Sequence, residues 1–464
     1  MQASGSRSPI GSARPFLSPS WRRDRPGIFE DGSKGMIAMD AIAVLQERGF
    51  LYQSTDLERL RARLAQGPVT FYVGFDPTGS SLHIGHLLPV MAMRWLQQCG
   101  HRPIAIVGGG TAMVGDPSGK SEARPVLTVD EIDANARAIQ GQLARFLDFS
   151  DAAGARLVNN ADWLRHVKYL DFLRDIGRHF NVNQMLAAES VKQRLETGLS
   201  FLEFNYMLLQ AYDFYVLFKD YGCELQLGGQ DQWGNIVAGT GLIRKLTGKE
   251  AHAATFPLLL KSDGQKFGKT ASGAVWLDAA RTTPYHYYQF WRNVDDGEVV
   301  RLLGFFTALP MDEVRRLGAL PSPQINRAKE ILAYEATALA HGPAAARQAY
   351  LAAGSEFGFA DPAGAIATTS AVAGIQAAEA AAELPTTVLP KAEVEAGIGI
   401  CKLLVDTGLC PSTSEARRLI KGGGAHLGDD RVTDEKRLVT PADFAAGSLI
   451  LRAGKKNLRR IVLE

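Results

Sequence analysis

The stretch YVGFDPTGSSLHIGH at residues 72–86 decides the fold of the N-terminal half of the chain. Its first residues follow a β-strand pattern, Pro77 and Gly79 then turn the chain, and a helical pattern starts near Leu82. Because backbone N–H groups at the start of a helix attract anions, a strand, turn and helix in this order can bind phosphate. The stretch therefore predicts a nucleotide site at the end of this strand.

Three residues of the stretch suit a nucleoside triphosphate. His83 and His86 are three positions apart, so both side chains lie on one helix face and can share one phosphate. Gly85 between them leaves the backbone bare, and a flat adenine ring can lie against it. Pro89 is expected in the first turn of the helix, where its missing N–H costs little.

Strand and helix patterns alternate from residue 41 to about residue 275, the order expected of a parallel sheet covered by helices. The candidate strands are 70–76, 103–107, 156–159 and 224–227. Each is followed by Gly, Asp or Asn at the end where ligands bind such sheets. The sequence predicts an α/β fold with a Rossmann-like, doubly wound parallel sheet.

Composition and pattern change along the chain and predict five regions. We expect a disordered extension at 1–35, a catalytic domain at 36–283, a helical domain at 284–357, a linker at 358–397 and a small basic α+β domain at 398–464. The extension contains 16 Ser, Pro or Gly residues, too many turn formers to fold. An Arg-rich and Ser-rich organellar transit peptide is the alternative, although the segment lacks an amphipathic helical pattern. Met36 and Met39 are separate candidates for the start.

The overall composition excludes several classes of protein. Apolar residues make up 46% of the chain, and no apolar run is long enough to cross a bilayer, so no membrane partner is expected. The four cysteines have no Cys-x-x-Cys spacing, which argues against a zinc ribbon or a disulfide framework and favours the cytoplasm. A net charge of +2 excludes a uniformly basic nucleic-acid binder.

The C-terminal tail is nevertheless basic. Residues 402–464 carry twelve Lys or Arg against eight Asp or Glu, so their net charge of +4 exceeds that of the whole chain. A helix with Arg417, Arg418 and Lys421 runs into three glycines, and a strand at 448–452 precedes more basic residues. This concentration indicates contacts with phosphate, and the alternative is a solvated charged face.

A second phosphate element is the loop KSDGQKFGKTASG at residues 261–273. Its Lys266 and Lys269 can close over polyphosphate with the Thr270 hydroxyl. Transfer of a nucleotidyl group at such a site is an in-line attack on the α-phosphorus of a nucleoside triphosphate, with pyrophosphate leaving. The protein needs only to position the reactants and to neutralise the growing charge.

Together, HIGH at 83–86 and KFGKT at 266–270 resemble the paired signatures of class I aminoacyl-tRNA synthetases. Three further segments resemble the bacterial tyrosyl-tRNA synthetases: GDPSGK at 115–120, YMLLQAYD at 206–213 and GGQDQWGN at 228–235. The resemblance runs from about Met39 to the end. It implies a tyrosine–tRNA ligase that uses ATP with Mg²⁺, has no protein-bound metal or organic cofactor, and acts on L-tyrosine and its tRNA as a homodimer.

The resemblance also implies a tyrosine pocket. Tyr72 and Asp213 would hold the substrate phenol, and Asp116, Tyr206 and Gln210 its ammonium group; Gln232 would line the same pocket. On a helix Tyr206, Gln210 and Asp213 fall on one face. Phenylalanine would leave the buried carboxylate and phenol unpaired, which gives specificity a physical source. A turn residue at Asp116 and a core aromatic at Tyr206 are the structural alternatives.

Other residues are assigned to ATP and RNA by the same resemblance. Asp231 would bind the ribose, Lys120 and Arg124 would approach pyrophosphate, and Gly74, Asp76, Thr78, Gly85 and Gly229 would complete the ATP site together with His83, His86 and Lys269. The tail resembles a small RNA-binding module in which Arg417, Arg418 and Lys421 would contact RNA. The helical domain would meet the anticodon. The aromatic stretch 285–291 suits either an interface or internal packing.

Three rival functions share parts of this pattern. A synthetase for tryptophan would use the same ATP site, although Asp213 opposite Tyr72 argues against it. A nucleotidyltransferase that makes a coenzyme shares the histidine signature but does not need the basic tail. An RNA-binding protein without catalysis would not need His83, His86, Lys266 and Lys269.

Overall fold

The computed structural model describes residues 39–118, 127–150, 154–260, 267–270, 273–376, 386–428, 430–444, 448–454 and 457–464. The chain divides into two compact units, Met1–Asp278 and Ala279–Glu464. No helix of the described parts is long and apolar enough to cross a membrane.

The first unit is built on a six-stranded sheet with the order β1-β6-β5-β2-β3-β4. Its strands are β1 Gln53–Ser54, β2 Thr70–Phe75, β3 Arg102–Val107, β4 Arg156–Asn159, β5 Cys223–Gly229 and β6 His252–Phe256. All neighbours are parallel except β1, which pairs antiparallel with β6 at the edge. The predicted doubly wound parallel sheet is confirmed, and β2 lies where the strand order reverses, the point at which such sheets bind ligands.

Helices connect these strands and cover the sheet. They are α1 Ala41–Glu47, α2 Leu57–Ala65, α3 Ile84–Gln98, α4 Val129–Leu143, α5 Ala161–Leu164, α6 Tyr169–Asp175, α7 Val182–Leu186, α8 Glu189–Thr197, α9 Phe201–Phe204, α10 Tyr206–Tyr221 and α11 Trp233–Thr247. The strand pair β7 Lys269–Thr270 and β8 Gly273–Ala274 completes this unit. The interior of β2 is buried, as expected for a central parallel strand.

The expectation for Pro89 is wrong. The helix α3 begins at Ile84, so Pro89 lies in its interior and not in its first turn. Proline has no N–H to donate to the carbonyl four residues earlier, which is that of Gly85. The Gly85 carbonyl therefore receives no helical hydrogen bond from position 89.

The second unit contains five longer helices and a small α+β module. The helices are α12 Pro284–Arg292, α13 Val299–Phe306, α14 Met311–Gly318, α15 Ile325–His341 and α16 Pro343–Phe357. Tyr287, Tyr288 and Trp291 are fully buried among them, so internal packing accounts for these members of the aromatic stretch.

The described residues of the C-terminal module form a sheet with the order β12-β11-β14-β15-β9 and three short helices. Its elements are β9 Thr386–Leu389, α17 Lys391–Glu395, β10 Ile398–Gly399, α18 Ile400–Asp406, α19 Thr413–Lys421, β11 Ala425–Leu427, β12 Asp430–Arg431, β13 Leu438–Val439, β14 Ser448–Ala453 and β15 Asn457–Leu463. The core joins α18 and α19 to one face of the sheet through Leu403, Ile420 and Leu451.

The described residues of the predicted linker at 358–397 make specific contacts with their neighbours. The buried carboxylate of Glu313 accepts hydrogen bonds from the hydroxyls of Thr368 and Thr369, both at 2.6 Å, which holds this segment against the helices. Further along, β9 pairs in parallel with β15 and so belongs to the C-terminal sheet. The small and polar residues of this segment are typical of an exposed linker in the sequence. In the structure the buried carboxylate of Glu313 accepts hydrogen bonds from two of them.

Candidate active site

The two predicted histidines form the N-terminus of α3. His83 is the N-cap, and its Nδ1 accepts a hydrogen bond from the backbone N–H of Gly85 at 3.0 Å. Nδ1 of His86 accepts one from the backbone N–H of His83 at 3.1 Å, and the ring centroids lie 4.0 Å apart. Since both Nδ1 atoms are acceptors, the neutral imidazoles carry their proton on Nε2. Each ring is therefore an N–H donor, which suits a phosphate.

The backbone of the lysine loop lies against this helix start. Ile84 N–H donates to the Val275 carbonyl at 3.0 Å, so the chain after the loop runs beside the histidines. A Cβ added to Gly268 would lie 3.2 Å from the backbone nitrogen of Gly85, and Gly268 has φ +85°. Only glycine combines this close approach with that φ without strain.

The predicted lysines themselves are described only in part. Lys266 lies outside the described residues, and the structure gives Lys269 and Thr270 as the backbone of β7. The Phe-Gly pair inside the loop has a structural role, because Phe267 is buried and Gly268 contacts the helix start. The histidine signature and the loop that carries the lysine signature are therefore adjacent through their backbones.

A buried polar pair lies at the centre of the sheet. Tyr72 on β2 is 2% exposed, and its hydroxyl has no hydrogen-bond partner among the described residues. Asp213 on α10 is 3% exposed, and its carboxylate is close enough to raise the pKa of Tyr72, after burial, the main cause. A buried hydroxyl without a partner is costly, so this site is suited to a ligand that supplies one.

The carboxylate of Asp213 is held by two donors that nothing in the sequence marked. Asn160 Nδ2 donates to it at 2.8 Å and Trp163 Nε1 donates to it at 2.7 Å. Burial raises the pKa of Asp213 to about 7, the two hydrogen bonds oppose that rise, and the charge of Asp76 adds to it. Asn160 and Trp163 follow β4, so the ends of neighbouring parallel strands bring them to the site.

Asp116 takes part in a second polar network. Its Oδ1 accepts from the backbone N–H of Ser118 at 3.0 Å, which is the turn role considered as an alternative. Its Oδ2 accepts from Gln232 Nε2 at 2.8 Å. Asn235 Nδ2 donates both to Gln232 Oε1 and to Ser118 Oγ, at 3.3 and 3.2 Å. The turn role and a ligand role are therefore compatible, because the network fixes the carboxylate in place.

The helix α10 positions the remaining predicted tyrosine-binding residues. Tyr206 is buried at its first position, Gln210 is half-buried, and Asp213 follows one turn later. The spacing places all three on one helix face, as the sequence predicted.

Glycines after β3 allow the chain to approach the site closely. A Cβ on Gly108 would lie 2.5 Å from Asp76 Oδ1, and one on Gly109 would lie 2.3 Å from Asn159 Oδ1. The Gly110 N–H donates to Asn160 Oδ1 at 2.7 Å. These glycines were not predicted, although three consecutive glycines after a strand are a signal for close backbone approach.

The other predicted ATP-binding residues lie at the ends of β2 and β5. Gly74 is exposed near the end of β2, and Thr78 is exposed in the turn after it. A Cβ on Gly229 would lie 2.5 Å from Asp231 Oδ1, so glycine leaves room for that carboxylate. Lys120 and Arg124 lie outside the described residues. A cavity of about 940 Å³ opens beside Asp231 and Trp233, and α7 and α11 form much of its wall.

The predicted RNA-binding residues lie on α19. Arg417 and Arg418 are exposed, and neither forms an ion pair within the described part of the chain. Lys421 differs, because its Nζ lies 3.5 Å from a carboxylate oxygen of Glu435. The described residues contain no cluster of three or more His, Cys, Asp or Glu side chains that could hold a metal ion.

Comparisons with known proteins match this architecture. A profile described as class I tRNA synthetases (W and Y) matches residues 64–358, and one described as a tyrosine–tRNA ligase C-terminal domain matches residues 376–461. The tyrosine–tRNA ligase of Clostridium tetani is 51% identical over 91% of this chain and 98% of its own length. That of Xanthobacter autotrophicus is 52% identical over 90% of this chain and 96% of its own length.

Solved structures are similar as well. The mitochondrial tyrosyl-tRNA synthetase of Aspergillus nidulans, truncated at its C-terminus, aligns with a TM-score of 0.60 at 31% identity, over 68% of this chain and 93% of that one. The tyrosyl-tRNA synthetase of Archaeoglobus fulgidus, complexed with L-tyrosine, aligns with a TM-score of 0.52 at 18% identity, over 67% and 100%, and supports the fold alone. The chain therefore belongs to the tyrosine–tRNA ligases, within the class I aminoacyl-tRNA synthetases.

Proposed function

We propose that this chain activates L-tyrosine with ATP, releasing pyrophosphate, and then transfers tyrosine from the adenylate to the 3′ end of tRNA(Tyr). The observation that carries the choice of tyrosine is the buried pair of Tyr72 and Asp213. A phenol hydroxyl can accept from Tyr72 and donate to Asp213, which satisfies a hydroxyl that otherwise has no partner among the described residues. Phenylalanine and tryptophan have no hydroxyl to fill this role.

The ammonium group of the substrate is assigned to Asp116, Tyr206 and Gln210, with Gln232 holding Asp116 in position. An ammonium group offers three donors, and a fixed carboxylate is a strong acceptor for one of them. Asp116 suits this role because Ser118 and Gln232 use one lone pair on each oxygen and leave others for a ligand.

The triphosphate is assigned to the start of α3 and to the lysine loop. The tyrosine carboxylate attacks the α-phosphorus, and the Nε2–H donors of His83 and His86 stabilise the charge on the phosphate oxygens. Lys266, Lys269 and Thr270 are assigned to the leaving pyrophosphate, with Lys120 and Arg124 nearby. Gly85 is assigned to adenine, Asp231 and Gly229 to the ribose, and Gly74, Asp76 and Thr78 to the adenylate. Mg²⁺ would enter with ATP as part of the substrate.

We also propose that the chain is a cytoplasmic homodimer. Large apolar side chains are exposed between residues 169 and 202, where Leu170 is 77% and Phe201 is 69% exposed. Such a concentration is typical of a surface that another protein covers. Sedimentation of the protein at micromolar concentration tests this assignment, and Phe201→Glu should shift the protein toward the monomer.

Two assays test the proposed function. In ATP–pyrophosphate exchange, tyrosine should support the reaction and tryptophan should not compete; activation by tryptophan alone would contradict the assignment. In the charging assay, a tRNA(Tyr) transcript should accept tyrosine. The double variant Arg417→Gln/Arg418→Gln should weaken charging and leave exchange unchanged, because phosphate contacts in the C-terminal module do not touch the adenylate.

A further inference from the structure

A band of basic side chains crosses three strands of the C-terminal sheet. His426 on β11 pairs directly with Arg431 on β12 and with Arg452 on β14. Residues directly opposite each other in antiparallel strands project from the same face. Leu427 and Leu451, which alternate with these residues, are buried against the helices. The band of Arg431, His426 and Arg452 therefore lies on the face of the sheet away from the helices.

No carboxylate of the described residues pairs with this band. Two cations elsewhere in the module do have such partners: Lys402 lies 2.7 Å from carboxylate oxygens of both Glu393 and Asp406, and Arg437 lies 2.8 Å from Asp443. Arg417 and Arg418 on α19 resemble the band in having none among the described residues. Neutral partners are missing too, because His426 Nδ1 and Arg452 Nε are buried without a hydrogen-bond partner in the described parts.

This arrangement is unfavourable in isolation. Two arginines flank one histidine on neighbouring strands with no carboxylate of the described residues beside them, and buried polar atoms without partners are costly. Two arginines beside a histidine therefore call for an anion from outside the chain. Arginine binds phosphate through two parallel hydrogen bonds, so a row of phosphates is a better match than scattered carboxylates.

The glycine turn before β11 connects the band to α19. A Cβ on Gly423 would lie 1.4 Å from Arg431 Nη2 and 2.1 Å from its Cζ, so the guanidinium rests directly on the bare backbone of this turn. Gly423 N–H donates to the Ile420 carbonyl, so the turn directly continues α19. The Arg431 guanidinium is thereby placed next to the end of the helix that carries Arg417 and Arg418.

We propose that the band of Arg431, His426 and Arg452 binds the phosphate backbone of a helical segment of the tRNA, and extends the contact surface of α19 across the glycine turn onto the sheet. The inference rests on the proposed function, because the RNA is the substrate of that function. The band has no aromatic ring apart from the imidazole, so it suits backbone contacts and not stacking with unpaired bases.

The test measures binding of the full-length protein to a tRNA(Tyr) transcript as a function of salt. Arg431→Gln and Arg452→Gln should each raise Kd roughly three- to tenfold and lower the slope of log K against log salt by about 1. Lys402→Gln is the matched control, since its charge is already neutralised within the module, and it should change neither quantity. If both arginine variants bind like the unmodified protein, the inference is wrong.

A second variant tests the role of the glycine turn. Gly423→Ala keeps every charge but displaces the guanidinium, so it should weaken binding about as much as Arg431→Gln. The double variant Gly423→Ala/Arg431→Gln should then bind no more weakly than either single variant, whereas additive losses would contradict the placement. Unchanged circular dichroism verifies that each variant folds, since Gly423 has φ +72° and alanine is strained there.

The binding and charging assays separate the role of the band from the activity of the enzyme. If Arg417→Gln/Arg418→Gln weakens binding while the band variants do not, the sheet face is not an RNA surface and the proposed function stands. If the unmodified protein neither exchanges pyrophosphate with tyrosine nor charges the transcript, the proposed function fails first. Equal weakening by the band variants of binding to tRNA and to a long polyphosphate would show a nonspecific anion site and overturn the assignment to an RNA helix.

Discussion

Replacing Trp163 by phenylalanine should change the pH dependence of tyrosine activation. The Trp163 indole N–H donates to Asp213, and this hydrogen bond favours the ionised carboxylate. Phenylalanine keeps an aromatic ring but removes the donor. A hydrogen bond to a charged group contributes about 1.5–3 kcal/mol, which corresponds to about one to two pKa units. Because the donor lowers the pKa of Asp213, its loss raises that pKa from about 7 to about 8–9.

The effect on activity follows from the fraction of ionised Asp213, because in the proposed function the ionised carboxylate accepts the hydrogen bond of the substrate phenol. With a pKa of about 7, about three quarters of the molecules carry the carboxylate at pH 7.5; after the substitution, between a quarter and a few per cent do. The KM for tyrosine at pH 7.5 should therefore rise roughly 3- to 25-fold, and most of the loss should be recovered at pH 9.

The assay is ATP–pyrophosphate exchange, with kcat/KM for tyrosine measured between pH 6 and 9. Trp95→Phe is the matched control, because Trp95 lies in α3 away from Asp213 and its Nε1 has no hydrogen-bond partner among the described residues. Its profile should match that of the unmodified protein. A Trp163→Phe profile that overlays the unmodified one would refute the claim that this indole sets the charge of Asp213.

Three further substitutions test separate parts of the structure. Tyr72→Phe should raise KM for tyrosine several-fold and weaken the preference for tyrosine over phenylalanine. It should not lower the unfolding temperature, because the lost hydroxyl is buried without a partner among the described residues. The control is Tyr287→Phe, equally buried in the other unit, which should leave KM unchanged. Gly85→Ala should lower kcat/KM for ATP by roughly tenfold or more, because the added Cβ would lie 2.8 Å from His83 Cε1. The control is Gly141→Ala in α4, where an added Cβ has no atom within 4 Å and should have no effect. Glu313→Ala should destabilise the second unit by about 2–4 kcal/mol in urea unfolding, because it removes the hydrogen-bond acceptor for Thr368 and Thr369. The control is Asp312→Ala at the exposed neighbouring position, which should lower the free energy of unfolding by less than about 0.5 kcal/mol.

The central strands were predictable because their residues carry the information locally. The strand β4 has the predicted bounds, and β2 and β3 differ from prediction by one residue, since each is a short, largely apolar segment ended or followed by Gly, Asp or Asn. The strand β6 was not predicted, because its sequence HAATF contains two alanines and little β-branched character. The edge strand β1 is only two residues long and depends entirely on its partner.

From spacing alone the candidate site was predictable only where a motif runs along one segment, whereas the pairing of Tyr72 with Asp213 came from the resemblance. His83 and His86 are adjacent because they share a helix, and Tyr206, Gln210 and Asp213 share another. Asn160 and Trp163 were not predictable, since they reach Asp213 from fifty residues away and only the sheet brings them together. The contacts of segment 358–397 were not predictable for the same reason, because the buried carboxylate that holds Thr368 and Thr369 lies on α14, more than fifty residues earlier in the sequence.

The signature histidines combine a structural and a chemical role, and the start of α3 shows why these residue types occur together. A conventional N-cap such as Ser or Asp would satisfy the helix but would give the site a weak donor or a negative charge. An imidazole accepts from the helix backbone through Nδ1 and still has a donor at Nε2, so His83 and His86 can satisfy the helix start and keep the donor that the proposed function assigns to phosphate. Gly85 admits both rings because a Cβ there would collide with His83. Asparagine at either position can still accept a hydrogen bond from the helix backbone, but its side-chain N–H donor lies elsewhere than Nε2 of the imidazole. A substitution here therefore changes helix stability and the proposed phosphate contact together.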